Sequence, residues 1–385
     1  MAEVRAAPNV GYLARAHRFL AAFGLFYVTV IGLLAVPWFQ RHAIYMHAFN
    51  FPFGAKFDQP HLYGLAPNRA TNLNLTAADG VRLGAWFVLS QDLANAWPLS
   101  DEQVNTAIGT RPTIIFLHGN AGNRASIFRP KVYGAYTTRL RANVLTIDYR
   151  GFGDSEGIPT EKGRSYEDAR GAWDWLIARG ATASDIVLMG QSLGTGVAAG
   201  FAAQLAEENI SPRGVVLVAG FQSFPLMLEE YRMFGWLPIL GPLRIFPFIT
   251  KLLFRFLNSH FNTQLALPIL KAPVILVHAN DDTDIPCAQS FALFNTLLDD
   301  YLTPIPERLK KVIGAVSLRP IQNTRTAERT KLVLNADLAF GDLQHFAGNH
   351  GSISLLRPHT GGHNEVLLSE GVIDYIGSML NLRHH

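Results

Sequence analysis

The residues best suited to chemistry in this chain surround one serine. The motif G-x-S-x-G occupies residues 190–194 and has Ser192 at its centre. An apolar run at 186–189 precedes the motif and a run of small residues at 195–201 follows it, which predicts a buried strand, a sharp turn and a helix. Such a turn holds the serine hydroxyl above a sheet at a helix N-terminus, and its glycines avoid collisions with neighbouring backbone. We therefore expect Ser192 to act as a nucleophile, which requires a base, an acid and an oxyanion hole.

The expected base is a histidine late in the chain, because the order after such a turn is serine, acid, histidine. His363 is preceded by the glycines 361–362 and leads into a predicted helix at 366–369. The paired glycines give the histidine a flexible approach to the site. We predict that His363 is the base. The other late histidines are His345, His350 and His359, and for the last two we expect a surface or supporting position.

The expected acid follows the strand predicted at 274–277. Residues 278–286 contain three carboxylates there, Asp281, Asp282 and Asp284. An acid in this position must be buried enough to hold one imidazole tautomer and must still stay ionised. We predict Asp282, four residues before the proline that closes the segment. Asp281 and Asp284 are the alternatives.

The oxyanion hole is predicted where a glycine-rich segment leaves a buried strand. Residues 118–123 read His-Gly-Asn-Ala-Gly-Asn and follow the apolar run 113–117. Backbone N–H groups stabilise a developing oxyanion, and glycines let the backbone come close. We assign one donor to Asn120 or its neighbour Ala121, and the second to Leu193, the residue after the nucleophile. His118 itself is expected to be structural.

Strands alternate with helices around these motifs, as in an α/β protein with a mostly parallel central sheet. A hairpin is predicted at 72–76 and 81–89, and residues 91–111 are predicted to form a polar loop. A helix is predicted at 166–179. Ser155 also lies among glycines, but it lacks the strand–serine–helix order and is expected to be structural. The predicted parallel strands are 113–117, 143–148, 185–189, 215–218 and 274–277.

The N-terminal part of the chain predicts a membrane anchor. Residues 19–39 carry no charged side chain, and about 20 apolar residues in a helix span a bilayer. Arginines precede this segment at 5, 15 and 18. This predicts a cytoplasmic N-terminus at 1–18, a transmembrane signal anchor at 19–39, a connector at 40–70 and a hydrolytic domain at 71–385 beyond the membrane.

Two segments of the predicted domain depart from a plain strand–helix alternation. Residues 221–267 are rich in aromatic side chains and prolines, and we interpret them as a lid that lines an acyl-chain tunnel and touches the bilayer; a core helix pair is the alternative. Residues 297–345 contain basic residues that include Arg308, Arg325 and Arg329. This segment, called the insertion below, either docks anionic headgroups or is a solvated loop, which we favour.

Bulk composition excludes several classes of protein. The 385 residues are 49% hydrophobic and 16% charged, with a net charge of +3. No basic stripe interleaved with aromatic residues is present, so nucleic acid is not an expected partner. The single cysteine, Cys287, excludes an intrachain disulfide framework.

The motifs together resemble the membrane-tethered α/β-hydrolase domain lipases. The resemblance rests on residues 118–123, 148–155, 190–196 and 278–282, covers roughly residues 70–290 and resumes near 361. It implies the α/β-hydrolase fold, and hydrolysis of lysophospholipids, notably lysophosphatidylserine, or of monoacylglycerols. It also implies a single anchor, with the catalytic domain in the endoplasmic reticulum lumen or outside the cell. Gln191 stands where this family more often has histidine.

The expected activity is hydrolysis of carboxylic esters in acylated lipids, with Ser192, Asp282 and His363 as the triad. The expected partners are the lipid substrate and the membrane, contacted by the N-terminal helix and the lid. The mechanism needs no metal or organic cofactor. One alternative is a protein depalmitoylase or thioesterase using the same triad. A second is a catalytically inactive interaction protein with a hydrolase fold.

Overall fold

A ten-stranded sheet forms the centre of the molecule. The computed structural model describes residues 11–94, 99–126, 128–233, 235–245, 247–306 and 319–382. A separate two-stranded hairpin consists of β7 (Arg232–Met233) and β8 (Leu237–Pro238). The strands of the central sheet are β1 (Ala70–Thr76), β2 (Arg82–Val88), β3 (Thr113–Leu117), β4 (Asn143–Ile147), β5 (Ile186–Gln191), β6 (Gly214–Val218), β9 (Val274–Val277), β10 (Leu334–Leu338), β11 (Gly341–Gly348) and β12 (Gly351–Pro358).

The strand order is β1-β2-β4-β3-β5-β6-β9-β12-β11-β10. The six strands from β4 to β12 in this order pair in parallel, and the two strands at each edge pair antiparallel. Parallel strands present their carboxyl ends at one edge of a sheet, where crossover loops meet. The loops after β3, β5 and β9 therefore share one side of the molecule, and the predicted fold class is confirmed.

Helices cover both faces of the sheet, so the central strands are buried on both sides. Along β5, Leu188 packs in one hydrophobic cluster while Val187 and Met189 pack in the other, as expected for a strand between two helical layers. The helices are α1 (Tyr12–Leu33), α2 (Pro37–Tyr45), α3 (Asp101–Thr110), α4 (Arg129–Arg139), α5 (Ala169–Ile177), α6 (Leu193–Glu207), α7 (Phe224–Glu230), α8 (Pro247–Phe254), α9 (Thr263–Ala266), α10 (Ala288–Asp299), α11 (Arg319–Leu332) and α12 (Glu370–Met379).

The polar segment 91–111 contains a helix, α3, where the sequence predicts a loop. Ser100 and Gln103 form a reciprocal capping box at its N-terminus. Val104, Ala107 and Ile108 bury one face of the helix. The residue types Ser-x-x-Gln before Val104 are the signal for this helix start that the loop prediction overlooked.

The N-terminal apolar helix has different bounds from those predicted. Helix α1 ends at Leu33, and Pro37 begins the separate helix α2, because proline lacks the N–H and its ring clashes with the preceding turn of a helix. By length and composition α1 can cross a membrane, and little of it is buried inside the protein. The predicted segment 19–39 thus continues past the break between α1 and α2.

Much of the segment 297–345 folds into regular elements rather than a solvated loop. Helix α11 and strands β10 and β11 lie in it, and β11 pairs along its full length with β12 at the sheet edge. The side chain of Arg325 donates to the carbonyl oxygen of Thr303, and that of Arg329 donates to Asn295. Arg308 and the adjacent basic residues lie outside the described residues. Arg329 therefore links the insertion to α10, while the Arg325 contact lies within the insertion itself.

The segment 221–267, which we call the lid after its predicted role, carries α7, the β7–β8 hairpin, α8 and α9. Its exposed large apolar side chains include Trp236, Ile245, Phe248 and Phe256. On its inner side Leu240, Leu243 and Leu253 form a buried cluster with Ile31 of α1. The lid therefore packs directly against the N-terminal helix.

Candidate active site

Ser192 sits at the tight turn between β5 and α6. Its backbone has φ 52° and ψ −123°, a strained conformation for a residue with a side chain. A Cβ added at Gly190 would lie 2.2 Å from the carbonyl oxygen of Gly194, and one added at Gly194 would lie 2.0 Å from that of Leu117. Glycine is therefore required on both sides of the serine.

Three predicted side chains meet above this turn in one hydrogen-bonded line. His363 Nε2 lies 2.9 Å from Ser192 Oγ, and His363 Nδ1 lies 2.8 Å from Asp282 Oδ2. A carboxylate only accepts, so it fixes the proton on Nδ1 and leaves Nε2 to accept the serine proton. The geometry suits general-base activation of the hydroxyl.

Asp282, at the end of this hydrogen-bonded line, is held in its ionised form. Burial raises the pKa of its carboxyl group, but hydrogen bonds from His278 and His363 outweigh burial and hold the pKa well below its usual range. The backbone N–H groups of Asp284 and Ile285 donate to Asp282 Oδ1 at 2.9 and 3.0 Å. His278 Nε2 lies 3.2 Å from Oδ2. Hydrogen bonds to the charged form thus dominate over desolvation.

His278 was not singled out from the sequence, although it begins the acidic loop. Its ring is fully buried; Nδ1 lies 2.7 Å from Ser290 Oγ, and Nε2 lies 2.9 Å from the carbonyl oxygen of Ile285. These contacts place the imidazole against Asp282 Oδ2, the same carboxylate oxygen that His363 Nδ1 contacts. Its place directly after an apolar strand and four residues before Asp282 was the available signal.

The glycine-rich loop after β3 lies against the serine. Asn120 and Ala121 line the same cavity as Ser192 and Leu193. Within the described ranges, the backbone N–H groups of Asn120 and Leu193 have no hydrogen-bond acceptor in the protein. Free N–H groups beside a nucleophile are the donors that an oxyanion needs.

Arg129 fastens this loop from behind and was also not predicted. The guanidinium is buried and donates to the carbonyl oxygens of Ala121 at 2.9 Å and Asn123 at 2.8 Å, with longer bonds to Gly119 and Asn120. Because the carbonyl groups are held toward Arg129, the loop has a fixed orientation. Its sequence position, ten residues beyond Gly119, gave no indication of this role.

Gln191 links the two loops that flank the serine. Its Oε1 accepts from the N–H of Gly119 at 3.1 Å, and its Nε2 donates to Asn364 Oδ1 at 3.1 Å. One side chain therefore joins the glycine-rich loop to the loop that carries His363. The residue was noted only as a departure from the family's more common histidine.

The alternative acids occupy other positions. Asp281 accepts from the backbone N–H groups of Gly361 and Gly362 at 3.3 and 2.7 Å, which anchors the approach to His363. Asp284 lines the cavity, and burial raises the pKa of its carboxyl group. Neither side chain replaces Asp282 in contact with His363 Nδ1.

The other late histidines and His118 are not part of the hydrogen-bonded line from Asp282 to Ser192. His350 and His359 are exposed, and His345 lies 3.5 Å from Ser354 on a neighbouring strand. His118 is fully buried; burial, followed by the nearby Arg129 and Arg164, lowers its pKa well below the usual value. Across the ranges described, no group of three or more His, Cys, Asp or Glu side chains is arranged to hold a metal ion.

An apolar cavity of about 1140 Å³ opens from Ser192 toward the lid and the N-terminal helices. Phe221, Phe224 and Met227 line it near the serine, and Tyr27 and Ile31 of α1 line it further away. This volume exceeds the roughly 300–1000 Å³ of ordinary small-molecule pockets. The site therefore accommodates a long apolar group beside the hydroxyl.

The fold and this site together define a serine hydrolase of the α/β type. The chain belongs to the alpha/beta hydrolase family, whose model matches residues 114–359. It is 30% identical to the lysophosphatidylserine lipase ABHD12 of Rattus norvegicus over 282 residues, 70% of this chain and 67% of that protein. Protein ABHD12B of Homo sapiens is 30% identical over 276 residues, 70% of this chain and 72% of that one. These relatives confirm the resemblance inferred from the motifs and make the chain a carboxylic ester hydrolase.

A solved structure gives the same fold. The alpha-beta hydrolase from Vibrio vulnificus superposes with a TM-score of 0.51 at 20% identity, covering 67% of this chain and 80% of the other. At this identity the likeness concerns the sheet and its helices. It carries no information about the substrate.

Proposed function

We propose that this protein hydrolyses the ester bond of single-chain acylated lipids, lysophospholipids or monoacylglycerols, through an acyl-enzyme on Ser192. The observation that carries the proposal is a hydrogen-bonded line from Asp282 through His363 to Ser192 that opens into a large apolar cavity. The name of the rat relative, a lysophosphatidylserine lipase, supports the same class of substrate. A hydroxyl nucleophile beside an apolar channel suits an ester whose acyl part is a hydrocarbon chain.

The reaction begins when His363 Nε2 takes the proton of Ser192 and Oγ attacks the ester carbonyl carbon. The oxygen of the tetrahedral intermediate accepts from the N–H groups of Asn120 and Leu193. Losing one such donor costs about 10²–10³ in rate. As the intermediate collapses, His363 returns the proton to the departing alcohol oxygen, and the acyl group stays on Ser192.

Water completes the cycle. His363 takes a proton from a water molecule, whose oxygen attacks the acyl carbon, and the proton then returns to Ser192 as the fatty acid leaves. Asp282 stays ionised and stabilises the imidazolium formed in each half of the cycle. The hydrogen bonds to Asp282 from His278 and from the N–H groups of Asp284 and Ile285 support this role, since they favour the carboxylate.

The proposal is tested with the purified full-length chain in detergent. Wild-type protein is expected to release fatty acid from lysophosphatidylserine or monoacylglycerol micelles, and Ser192→Ala is expected to release none above background. A matched control, Ser184→Ala, alters an exposed serine of a surface turn and should leave the rate unchanged. The assignment of a lipid substrate would be contradicted if the protein cleaves short water-soluble esters efficiently but leaves the lipids in the micelles uncleaved.

We also propose that α1 spans a membrane with its N-terminus in the cytoplasm and the catalytic domain in the endoplasmic reticulum lumen. Arg15 and Arg18 lie at the N-terminal end of the helix, in keeping with the positive-inside tendency. Sealed microsomes should protect the catalytic domain from added protease. Its complete digestion without detergent would reverse the orientation and favour a thioesterase acting on cytoplasmic substrates.

A further inference from the structure

Helix α1 presents one face to the catalytic cavity along much of its length. The cavity-lining residues of the helix and the residue after it recur at helical spacing: Phe23, Gly24, Tyr27, Val30, Ile31 and Leu34. Positions three, four and seven apart share one side of a helix. On the opposite side Leu25 is 69% exposed, and Phe26 and Val28 on the two flanks are 66% and 64% exposed. The helix therefore has a cavity face and a free apolar face.

This arrangement is fastened by specific contacts. Tyr27 donates its hydroxyl to the carbonyl oxygen of Ile239 in the lid at 3.0 Å. Gln40 of α2 donates to the carbonyl oxygens of Leu34 at 2.9 Å and of Phe256 in the lid at 2.8 Å, and its Oε1 accepts from the N–H of Asn258 at 2.8 Å. A helix that served only as a tether would not need bonds to the lid. Here the bonds set both the position and the rotation of α1.

We propose that α1 is one wall of the acyl-chain site, in addition to being an anchor. The hydrocarbon chain of the ester extends from Ser192 between the lid and α1 as far as Phe23 and Gly24. The cavity is continuous between these residues, and its lining on α1 is apolar except for the Tyr27 hydroxyl, which the lid occupies. This inference rests on the proposed function for the identity of the chain as part of the ester substrate.

The position of the distal end has a consequence for substrate entry. Residues 23–24 lie about ten residues before the end of α1. At the rise of an α-helix this is about 15 Å along the helix axis. In a helix that spans a hydrocarbon core of about 30 Å, this places the end of the site at the depth of lipid tails. The lid also exposes the apolar side chains of Phe248 and Phe256. A single-chain lipid therefore reaches the serine sideways from the bilayer, with its tail never passing through water.

The test adds bulk at one glycine of α1 and compares it with another. A Cβ at Gly24 or at Gly32 meets nothing within 4 Å, so both sites tolerate a side chain. Gly24 lines the cavity and Gly32 does not. In full-length protein in detergent, Gly24→Trp should lower the ratio of kcat/KM for a stearoyl ester to that for a butyryl ester by at least about tenfold, since each methylene that loses apolar contact costs about fourfold. Gly32→Trp should leave the ratio at the wild-type value.

An unchanged ratio in Gly24→Trp, or an equal fall in both variants, would overturn the proposal. A second measurement stands apart from turnover: a stearic acid carrying a terminal diazirine is photo-crosslinked to the full-length chain, and the modified residues are mapped. We expect crosslinks at Phe23 and Tyr27, and we expect excess stearate to suppress them. The Gly24→Trp variant should lose these crosslinks, and the Gly32→Trp variant should retain them. The proposal would be overturned, even if the esterase activity is confirmed, by crosslinks that are as frequent at Phe26 and Val28 as at Phe23 and Tyr27 and that stearate does not suppress. If the specific crosslinks form but the protein hydrolyses no ester, the result would contradict the proposed function and leave the acyl-chain site intact.

Discussion

The catalytic corner (Ser192, Asp282, His363 and the loop 118–123) and the roof (α1 with the lid) hold their shapes in different ways. The corner is polar, buried and joined by directional hydrogen bonds between loops that end parallel strands. The roof is apolar and is fastened by a hydrophobic cluster with a few hydrogen bonds, such as that from Tyr27 to Ile239. Directional hydrogen bonds fix the positions of reacting atoms to a fraction of an ångström, as acyl transfer requires. Apolar packing fixes the width of a channel but leaves a hydrocarbon chain free to move along it. The difference suits the two proposed tasks, bond cleavage at the corner and chain binding under the roof.

The largest effect should follow from removing the base in the catalytic corner. His363→Ala leaves Ser192 without a proton acceptor, and kcat is expected to fall by about 10⁶-fold. His359→Ala changes an exposed histidine four residues earlier and should stay within twofold of wild type. Steady-state hydrolysis of a short ester measures both, because this substrate places little demand on the roof. Similar losses in the two variants would contradict the assignment of the base.

The next largest effect concerns the acid. Asp282→Asn keeps the shape of the side chain but lets the imidazole adopt the wrong tautomer, so kcat should fall by about 10⁴-fold. KM for a lipid substrate should change little, because the roof is untouched. Asp281→Asn serves as the control; it is expected to lose far less, since Asp281 contacts backbone N–H groups rather than the imidazole.

The same carboxylate predicts a pH dependence of stability. Because the pKa of Asp282 is lower in the folded than in the unfolded protein, the unfolded state binds its proton first as pH falls. Its stabilising contribution is present above the unfolded pKa of about 3.9 and declines below it. The difference in unfolding free energy between wild type and Asp282→Asn should therefore shrink as the pH falls below about 4. A difference that grows on acidification would contradict this sign.

A glycine of the turn should affect folding more than any position in the roof. Gly190→Ala places a Cβ 2.2 Å from a backbone oxygen, and such overpacking is expected to cost about 3 kcal/mol of unfolding free energy. Gly109→Ala, in the last turn of α3 with open space around it, should instead gain up to about 1 kcal/mol. Urea unfolding followed by circular dichroism distinguishes the two. Equal stability of Gly190→Ala and wild type would show that the turn is looser than described.

A smaller effect is expected at the bridge between the two flanking loops. Gln191→Ala leaves the N–H of Gly119 without its acceptor, and a lost bond of this kind costs about 1–3 kcal/mol. We expect kcat to fall by about tenfold with little change in KM, since the loop that supplies the oxyanion donor becomes less well placed. Gln204→Ala, near the other end of α6, is the matched control and should retain wild-type kinetics. A change confined to KM would assign Gln191 to substrate binding instead.

The smallest effect should come from the roof. Tyr27→Phe removes one hydrogen bond to the lid, worth about 1 kcal/mol, and should lower kcat/KM for a stearoyl ester by about fivefold. Hydrolysis of a butyryl ester should change by less than twofold. The control is Tyr12→Phe, at an exposed end of the same helix. A larger effect on the butyryl ester than on the stearoyl ester would mean that the roof shapes the corner directly.

The two regions also differ in what the sequence predicts. The residues now assembled at the corner were predicted individually, because acyl transfer demands particular residue types at strand ends and the G-x-S-x-G spacing is set by backbone geometry. Arg129, Gln191 and His278 were not predicted, since their roles depend on neighbours far away in the chain; Gln191 and Gly119 are 72 residues apart. No local pattern encodes such a pairing.

For the roof, composition predicted an apolar lid but not its contact with α1. The anchor's predicted end lay beyond Leu33 because hydropathy alone overlooks the break that Pro37 imposes. For the insertion 297–345 a solvated loop was favoured over a segment that docks headgroups, yet β11 pairs with β12 at the sheet edge. Edge pairing is non-local, so charge and periodicity within one segment do not predict it.

Covalent labelling of the serine tests the central claim most directly. A fluorophosphonate probe is incubated with the full-length wild-type chain, and the modified peptide is located by mass spectrometry. We predict a single adduct on Ser192 that forms rapidly in wild type and at least about 10³-fold more slowly in His363→Ala, whose serine lacks its base. An adduct on another serine such as Ser155, or no adduct where a control hydrolase is labelled, would contradict the account.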